Sequence, residues 1–261
     1  MIDKQLVRKR FSERAATYDR FANVQKKMAD ALVIRIAVRP TRILEVGCGT
    51  GYLTEQLIRT FPDAHLTAVD IAPGMIAAAQ QRLDNRITWR CADIEEMAID
   101  ERYDLIISNA TFQWLNAPER TINRLARALN PGGQLLFSTF GADTFQELHA
   151  SFLAALKQHG IAERFSIGPS FPGLSDWLKR CEHAFPKAAV AAEETWETEY
   201  FPTVRDFFLS LRQIGATNST DGRHCQRPSV FKTMMDEYER RFSKNGQIPA
   251  TYHCLLLDVL V

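Results

Sequence analysis

Between Ile43 and Thr54 the chain reads Ile-Leu-Glu-Val-Gly-Cys-Gly-Thr-Gly-Tyr-Leu-Thr. The glycines at 47, 49 and 51 leave bare backbone against which a ligand is able to lie. They follow an apolar run and precede an apolar pattern of helical period (Leu53, Leu57, Ile58, Phe61) that stops at Pro62. Strand, glycine turn and helix in that order open a nucleotide-binding unit. The dinucleotide fingerprint G-x-G-x-x-G fails here, because Tyr52 stands where its third glycine belongs. Asp70 ends the next apolar segment, nineteen residues beyond Gly51. A carboxylate at that point accepts both hydroxyls of a ribose, although an acid there also serves simply as a helix N-cap. Asp93 follows a third apolar segment, and Ser108-Asn109-Ala110-Thr111-Phe112-Gln113-Trp114 follows a fourth. Ligands of such folds sit beyond the carboxyl ends of the strands, so Gln113 and Trp114 become acceptor-side candidates and Phe112 is assigned to packing. The segment has no Asn-Pro-Pro-Tyr or Asp-Pro-Pro-Tyr for binding a nitrogen acceptor, and no paired catalytic cysteines.

The elements that position these residues are readable from period and punctuation. Residues 4–22 predict a helix with Val7, Phe11, Ala15, Tyr18 and Ala22 on one stripe, and Asn23 is a candidate N-cap for a second helix. Strands are expected at 42–46, 65–70, 87–91, 103–108 and 134–140. Helices fall between them at 52–61, 74–83 and 119–129, with Pro73 and Pro118 in first turns and Asn130-Pro-Gly-Gly leading into the fifth strand. This alternation predicts a doubly wound parallel sheet. Beyond Phe140, Asp143 with Gln146 suggests a capping box, and 160–186 reads as loop with a short helix near 174–181. Strands are expected at 188–201 and 251–261, with helices near 203–214 and 228–242 between them.

The 261 residues carry a net charge of +1, with 46% hydrophobic and 24% charged residues, as in a globular protein. Neither a membrane span nor a secretory signal is visible, and the five scattered cysteines lack C-x-x-C spacing. Reduced thiols, a cytoplasmic location and no metal site are expected. Residues 1–42 hold eleven Lys or Arg against four Asp or Glu, leaving the rest of the chain slightly acidic. A basic first segment points to an anionic macromolecular partner or to a solvated helix face.

The pattern Glu45-x-Gly47-x-Gly49-x-Gly51 resembles the first motif of class I S-adenosylmethionine-dependent methyltransferases. That likeness implies a Rossmann-like sheet of seven strands, with the helices between the last two forming a lid. It implies one methyltransferase domain over 1–261, divided as an N-terminal helical cap (1–40), a cofactor core (41–140), helices, sixth strand and lid (141–250), and a last strand (251–261). It also implies that Glu45, Gly47, Gly49, Gly51, Asp70, Ile71, Met75, Asp93, Ile94 and Asn109 surround S-adenosylmethionine. Ile71 and Met75 would flank the adenine, and Asp93 would take its amino group.

Three further segments narrow the likeness: Phe11-x-x-x-Ala15-Ala16-x-Tyr18-Asp19, then Ser108-Asn109 with Gln113-Trp114, then Leu211-Arg212-x-Ile214-Gly215-Ala216-x-Asn218. In that order they are similar to the malonyl-acyl-carrier-protein O-methyltransferases of biotin synthesis. The first two are shared with carboxyl methyltransferases of the trans-aconitate type. The resemblance implies methylation of the free carboxylate of a malonyl thioester on acyl carrier protein, with no nucleic acid or membrane partner. Tyr18 would close over the cofactor, and Arg212 is the candidate for positioning the carboxylate. A carboxylate is already ionised at neutral pH, so no catalytic base is expected. For the acidic carrier protein, Lys9 and Arg10 are the docking candidates. Two alternatives stay open at this point: a free small acid as acceptor, and a cofactor-binding module without catalysis.

Overall fold

A computed structural model of the chain describes residues 1–83, 86–161, 165, 167–168, 170–216 and 227–261. Two helices, α1 (Lys4–Phe21) and α2 (Asn23–Ile34), precede the sheet. The first half then alternates β1 (Arg42–Val46), α3 (Tyr52–Thr60), β2 (His65–Asp70), α4 (Pro73–Arg82), β3 (Thr88–Cys91), β4 (Tyr103–Ser108), α5 (Pro118–Ala128) and β5 (Leu129–Phe140). The second half carries α6 (Gln146–Gln158), α7 (Leu174–Ala184), β6 (Ala189–Phe201), α8 (Val204–Gln213), α9 (Pro228–Phe242) and β7 (Ile248–Leu260).

The strands form one seven-stranded sheet in the order β3-β2-β1-β4-β5-β7-β6, with β7 antiparallel to both its neighbours. The winding reverses between β1 and β4, and the crevice at that switch point is where such a sheet binds ligands. Both faces of the sheet are covered. Leu32, Leu53, Leu57 and Ile76 close one face, while Ile122, Leu125, Trp177 and Cys181 close the other. A separate cluster built from Leu148, Phe152, Phe207, Val230, Met234 and Tyr238 holds α6, α8 and α9 together, while α7 packs on the sheet.

Three local expectations are corrected. Asn23 is the first residue of α2 rather than its cap; Ala22 takes the cap position, and the Asn23 amide donates to Glu199 at 3.0 Å. No capping box forms at Asp143: Phe145 precedes α6 at φ 60°, and the Gln146 N–H bonds the Asp143 main-chain carbonyl. The Phe145 ring is fixed between Phe207 and Tyr252, at 5.1 and 4.8 Å, so aromatic packing overrides the local cap. β5 starts at Leu129, and its pairing with β4 jumps from Leu129 to Gln134, leaving Asn130-Pro-Gly-Gly as a bulge within it. Asn218 of the lid motif and Cys225 lie outside the described residues.

Candidate active site

The glycine turn leaves β1 with positive φ at all three glycines, +76°, +54° and +88°. A Cβ on Gly47 would collide with the Thr111 side chain, and one on Gly51 with Leu83, so these two are fixed by close approach within the protein. Gly49 differs: a Cβ there meets no protein atom within 4 Å. The space in front of it belongs to a cavity of about 80 Å³ that Gly47, Gly49, Asp70, Ile71, Met75, Asp93, Ile94 and Asn109 all line. Asp70 accepts the Gly49 and Ala72 N–H groups at 2.9 and 2.8 Å, and burial lifts its carboxyl to about 6. Bare backbone at Gly49 and an acceptor carboxylate at the end of β2 fit a nucleoside bearing a ribose.

Glu45 does not line this cavity. Its carboxylate, 1% exposed, takes the Thr54 hydroxyl at 2.6 Å beneath the turn, and burial raises it to about 8. It holds α3 against β1 and stands behind the site, as does Gly51. At the far end Asp93 accepts the Glu95 N–H and lies 3.5 Å from Lys4. Lys4 reaches Glu95 at 2.6 Å, and Glu95 also accepts the Asn116 and Ala117 N–H groups, which together hold its carboxyl below the usual range despite the opposing cost of burial. Asn116 and Ile2 exchange hydrogen bonds. Lys4, part of the basic run, therefore faces inward as a wall of the cofactor cavity.

A second cavity of about 470 Å³ adjoins the first. Phe11, Tyr18, Ala110 and Trp114 line both and form the common wall. Phe11 stacks edge-on against Trp114 at 5.5 Å and lies 6.3 Å from Tyr18. Burial, reinforced by the nearby Asp70 and Asp19 carboxylates, pushes the Tyr18 phenol well above its usual range. Ala110 sits at φ 47°, an uncommon conformation for a residue with a Cβ, where the chain turns past β4 between the two cavities. The rest of the second chamber is mainly aromatic and aliphatic, including Phe140, Phe145, Phe171, Phe208, Leu211 and Met235. Gln113 is braced by the Ala110 carbonyl at 2.7 Å and the Thr139 hydroxyl at 2.9 Å, and Asn109 by the Gln25 carbonyl and the Ser138 hydroxyl. Arg212 lines the chamber from the last turn of α8, where it is exposed.

α1 is held in place over both cavities. Gly74 packs on the Ser12 backbone and Gly215 on the backbone of Arg10 and Phe11, each without room for a Cβ to spare. Thr17 donates to the Gln213 carbonyl at 2.9 Å, and Asp19 binds both Thr50 of the glycine turn and Arg82 of α4. Of the two docking candidates, Lys9 is exposed with a loose 3.9 Å pair to Glu13, whereas Arg10 is half-buried and engaged within the molecule. Of the pair, Lys9 alone is presented on the surface. Sequence reasoning passed over Lys4, Ala110 and Gln25. Only Lys4 carried a signal, its charge, and that was read as part of a surface run.

The methyltransferase-domain family matches residues 43–133, from β1 into the β5 bulge. Over 99% of its length the chain is 65% identical to the malonyl-acyl-carrier-protein O-methyltransferase of Anoxybacillus flavithermus, covering 98% of that protein. It is 48% identical to the Bacillus cereus protein of the same name, over 99% of this chain and 98% of that one. Among solved structures, the YcgJ protein of Bacillus subtilis superposes with a TM-score of 0.58 at 14% identity, covering 89% of this chain and 97% of the other. A Haemonchus contortus phosphoethanolamine N-methyltransferase in complex with S-adenosyl-L-methionine gives a TM-score of 0.56 at 17% identity, covering 95% and 57%. Among the described residues no helix is long and apolar enough to cross a membrane.

Proposed function

The chain belongs to the malonyl-acyl-carrier-protein O-methyltransferase family, and from its two adjoining chambers we propose that it methylates the free carboxylate of a malonyl group carried on acyl carrier protein. The enzyme is an S-adenosylmethionine-dependent O-methyltransferase. The product is the malonyl methyl ester that primes pimeloyl synthesis for biotin.

The observation that carries the reading is the titratable lining of the acceptor chamber. Among the described residues it consists of Tyr18, Tyr252 and Arg212. Burial, with acidic neighbours, pushes both tyrosines above their usual range, so both remain protonated at neutral pH. An acceptor entering this chamber must arrive already deprotonated. A carboxylate does; an alcohol or an ammonium does not.

S-adenosylmethionine, when bound, supplies the electrophilic methyl and takes the electron pair of the broken bond on its sulfur. The chain's own residues hold it and shape the approach. Asp70 would accept the ribose hydroxyls, Gly49 would let the nucleoside lie against the turn, Ile71 and Met75 would flank the adenine beside Ile94, and Asp93 would take its amino group. Phe11, Tyr18, Ala110 and Trp114 form the wall common to the two chambers and would orient the carboxylate toward the methyl group and exclude water there. Attack joins an anion to a cation and gives neutral products, a change favoured by an apolar chamber because little charge remains to be solvated. Lys9, on the outer face of α1, contributes to steering the acidic carrier protein. Radiolabelled methyl transfer tests the proposal: label is expected on malonyl-acyl carrier protein and not on free malonate. Label on free malonate at equal efficiency would favour a small-acid enzyme, and label on neither would overturn the reading.

A further inference from the structure

The few polar side chains of the acceptor chamber differ in what they already do. Gln113 is engaged at both ends of its amide, and the Thr144 hydroxyl is taken by the main chain of His253. The Tyr252 hydroxyl is turned toward Glu199. Arg212 stands at the exposed rim. Gln25 is unlike all of these. It is 7% exposed and lines the chamber, yet only its main-chain carbonyl is used, by Asn109. Its side-chain amide makes no hydrogen bond among the described residues, and it is not among the wholly sealed unpaired atoms, so it remains open to the chamber. An uncommitted amide on a residue this enclosed, facing an otherwise apolar chamber, is available to a polar group of the molecule that fills it. The Tyr18 hydroxyl and the Trp114 indole N–H line the same chamber and likewise have no described partner.

We propose that Gln25 is the residue that grips the malonyl carboxylate, with the Tyr18 hydroxyl donating beside it, while Arg212 serves the outer, thioester-bearing end of the acyl group. This rests on the malonyl reading above. Two neutral donors orient a carboxylate without adding a fixed positive charge beside it. During transfer a bond forms between one carboxylate oxygen and the methyl carbon, the carbon–sulfur bond breaks with its electron pair kept by sulfur, and no proton moves. The negative charge of the nucleophile vanishes in that step. A buried guanidinium would bind the charged ground state more tightly than the neutralising transition state, and so oppose the reaction. Neutral amide and hydroxyl donors lose far less as the charge disappears.

The test measures binding rather than turnover, with malonyl- and butyryl-acyl carrier protein titrated into the enzyme in the presence of S-adenosylhomocysteine. Gln25→Leu is expected to weaken the malonyl form about 10- to 100-fold, the scale of a hydrogen bond to a charged group, and to leave the butyryl form within about twofold. Gln25→Glu, nearly isosteric, should weaken the malonyl form at least as much by repulsion. S-adenosylhomocysteine affinity should be unchanged in both, which also reports folding. Equal losses on the two acyl forms would reduce Gln25 to packing and overturn the proposal. Retained discrimination in Gln25→Leu, with discrimination lost instead in Arg212→Gln, would overturn it in favour of the arginine. If the wild-type protein fails to prefer malonyl over butyryl, the malonyl reading itself falls. A wild-type preference that survives Gln25→Leu refutes only the role given to Gln25.

Discussion

Asp70→Asn separates what the carboxylate does for the ligand from what it does to the fold. Burial raises the Asp70 carboxyl from its ordinary 3.8 to about 6, while the N–H groups of Ala72 and Gly49 pull the other way. A rise of that size means that the ionised side chain destabilises the folded protein at neutral pH by about 3 kcal/mol, which the partial exposure of the residue reduces to ~1–2 kcal/mol. Between pH 4 and 6 the folded state binds more protons at this site than the unfolded state, so stability falls as pH rises through that window. Asparagine carries no such charge and still accepts one of the two N–H groups. Urea unfolding should therefore show the variant gaining on the wild type by ~1–2 kcal/mol between about pH 4.5 and pH 7, with no further change above. Calorimetry should show the opposite for S-adenosylmethionine, a loss of about 10- to 100-fold in affinity at pH 7.5. In the wild type, affinity should itself drop about tenfold per pH unit below 6, as protonation removes the acceptor. An unchanged stability difference across the window would refute a strained, buried carboxylate. Undiminished affinity in the variant would remove Asp70 from the ribose.

Gly49→Val places a side chain in the open space before the turn, and the positive φ adds about 1–3 kcal/mol of strain. It should abolish S-adenosylmethionine binding by calorimetry while circular dichroism stays native, and binding near wild-type strength would show that the ligand lies elsewhere. The single-turnover rate should be nearly flat from about pH 6.5 to 8.5, because no group in the acceptor chamber has to lose a proton; a log-linear rise would mean a hydroxyl or amine acceptor. Lys9→Glu should raise the Michaelis constant for malonyl-acyl carrier protein severalfold at low salt and leave malonyl-coenzyme A nearly unaffected, if the latter is turned over. Equal effects on both would show that the helix, not the charge, is what matters.

Period and punctuation placed most of the frame. The spans 42–46, 65–70 and 103–108 coincide with β1, β2 and β4, and 228–242 with α9, because buried strands and proline-started helices are set by local sequence. The glycine turn and Asp70 were legible for the same reason: positive φ and a strand-end carboxylate leave traces in residue type. What the sequence did not disclose arises from contacts between distant segments. Lys4 looks like any member of a basic run until Glu95, far along the chain, is folded against it. Phe145 takes φ 60° because of rings at 207 and 252, and no local pattern announces it. Gln25 reads as an ordinary polar residue on α2 and becomes conspicuous only when its amide is found indoors without a partner.

The placement of α1 has a consequence for how the N-terminal segment is kept folded. Its apolar stripe should rest on a packed interior, yet among the stripe residues only Val7 and Ala22 are fully buried, and Phe11 and Tyr18 look into the two chambers. The helix is tied down along its length, by Lys4 on Glu95, by the Arg10, Phe11 and Ser12 backbone against Gly215 and Gly74, by Thr17 on the Gln213 carbonyl and by Asp19 on Thr50 and Arg82. The Phe11 and Tyr18 rings are left to wall the chambers. On the proposed reading, a nucleoside in one chamber and an acyl group in the other would pack directly against this helix. Occupancy firms it by mass action, and the enzyme closes its own roof with the molecules it is about to join.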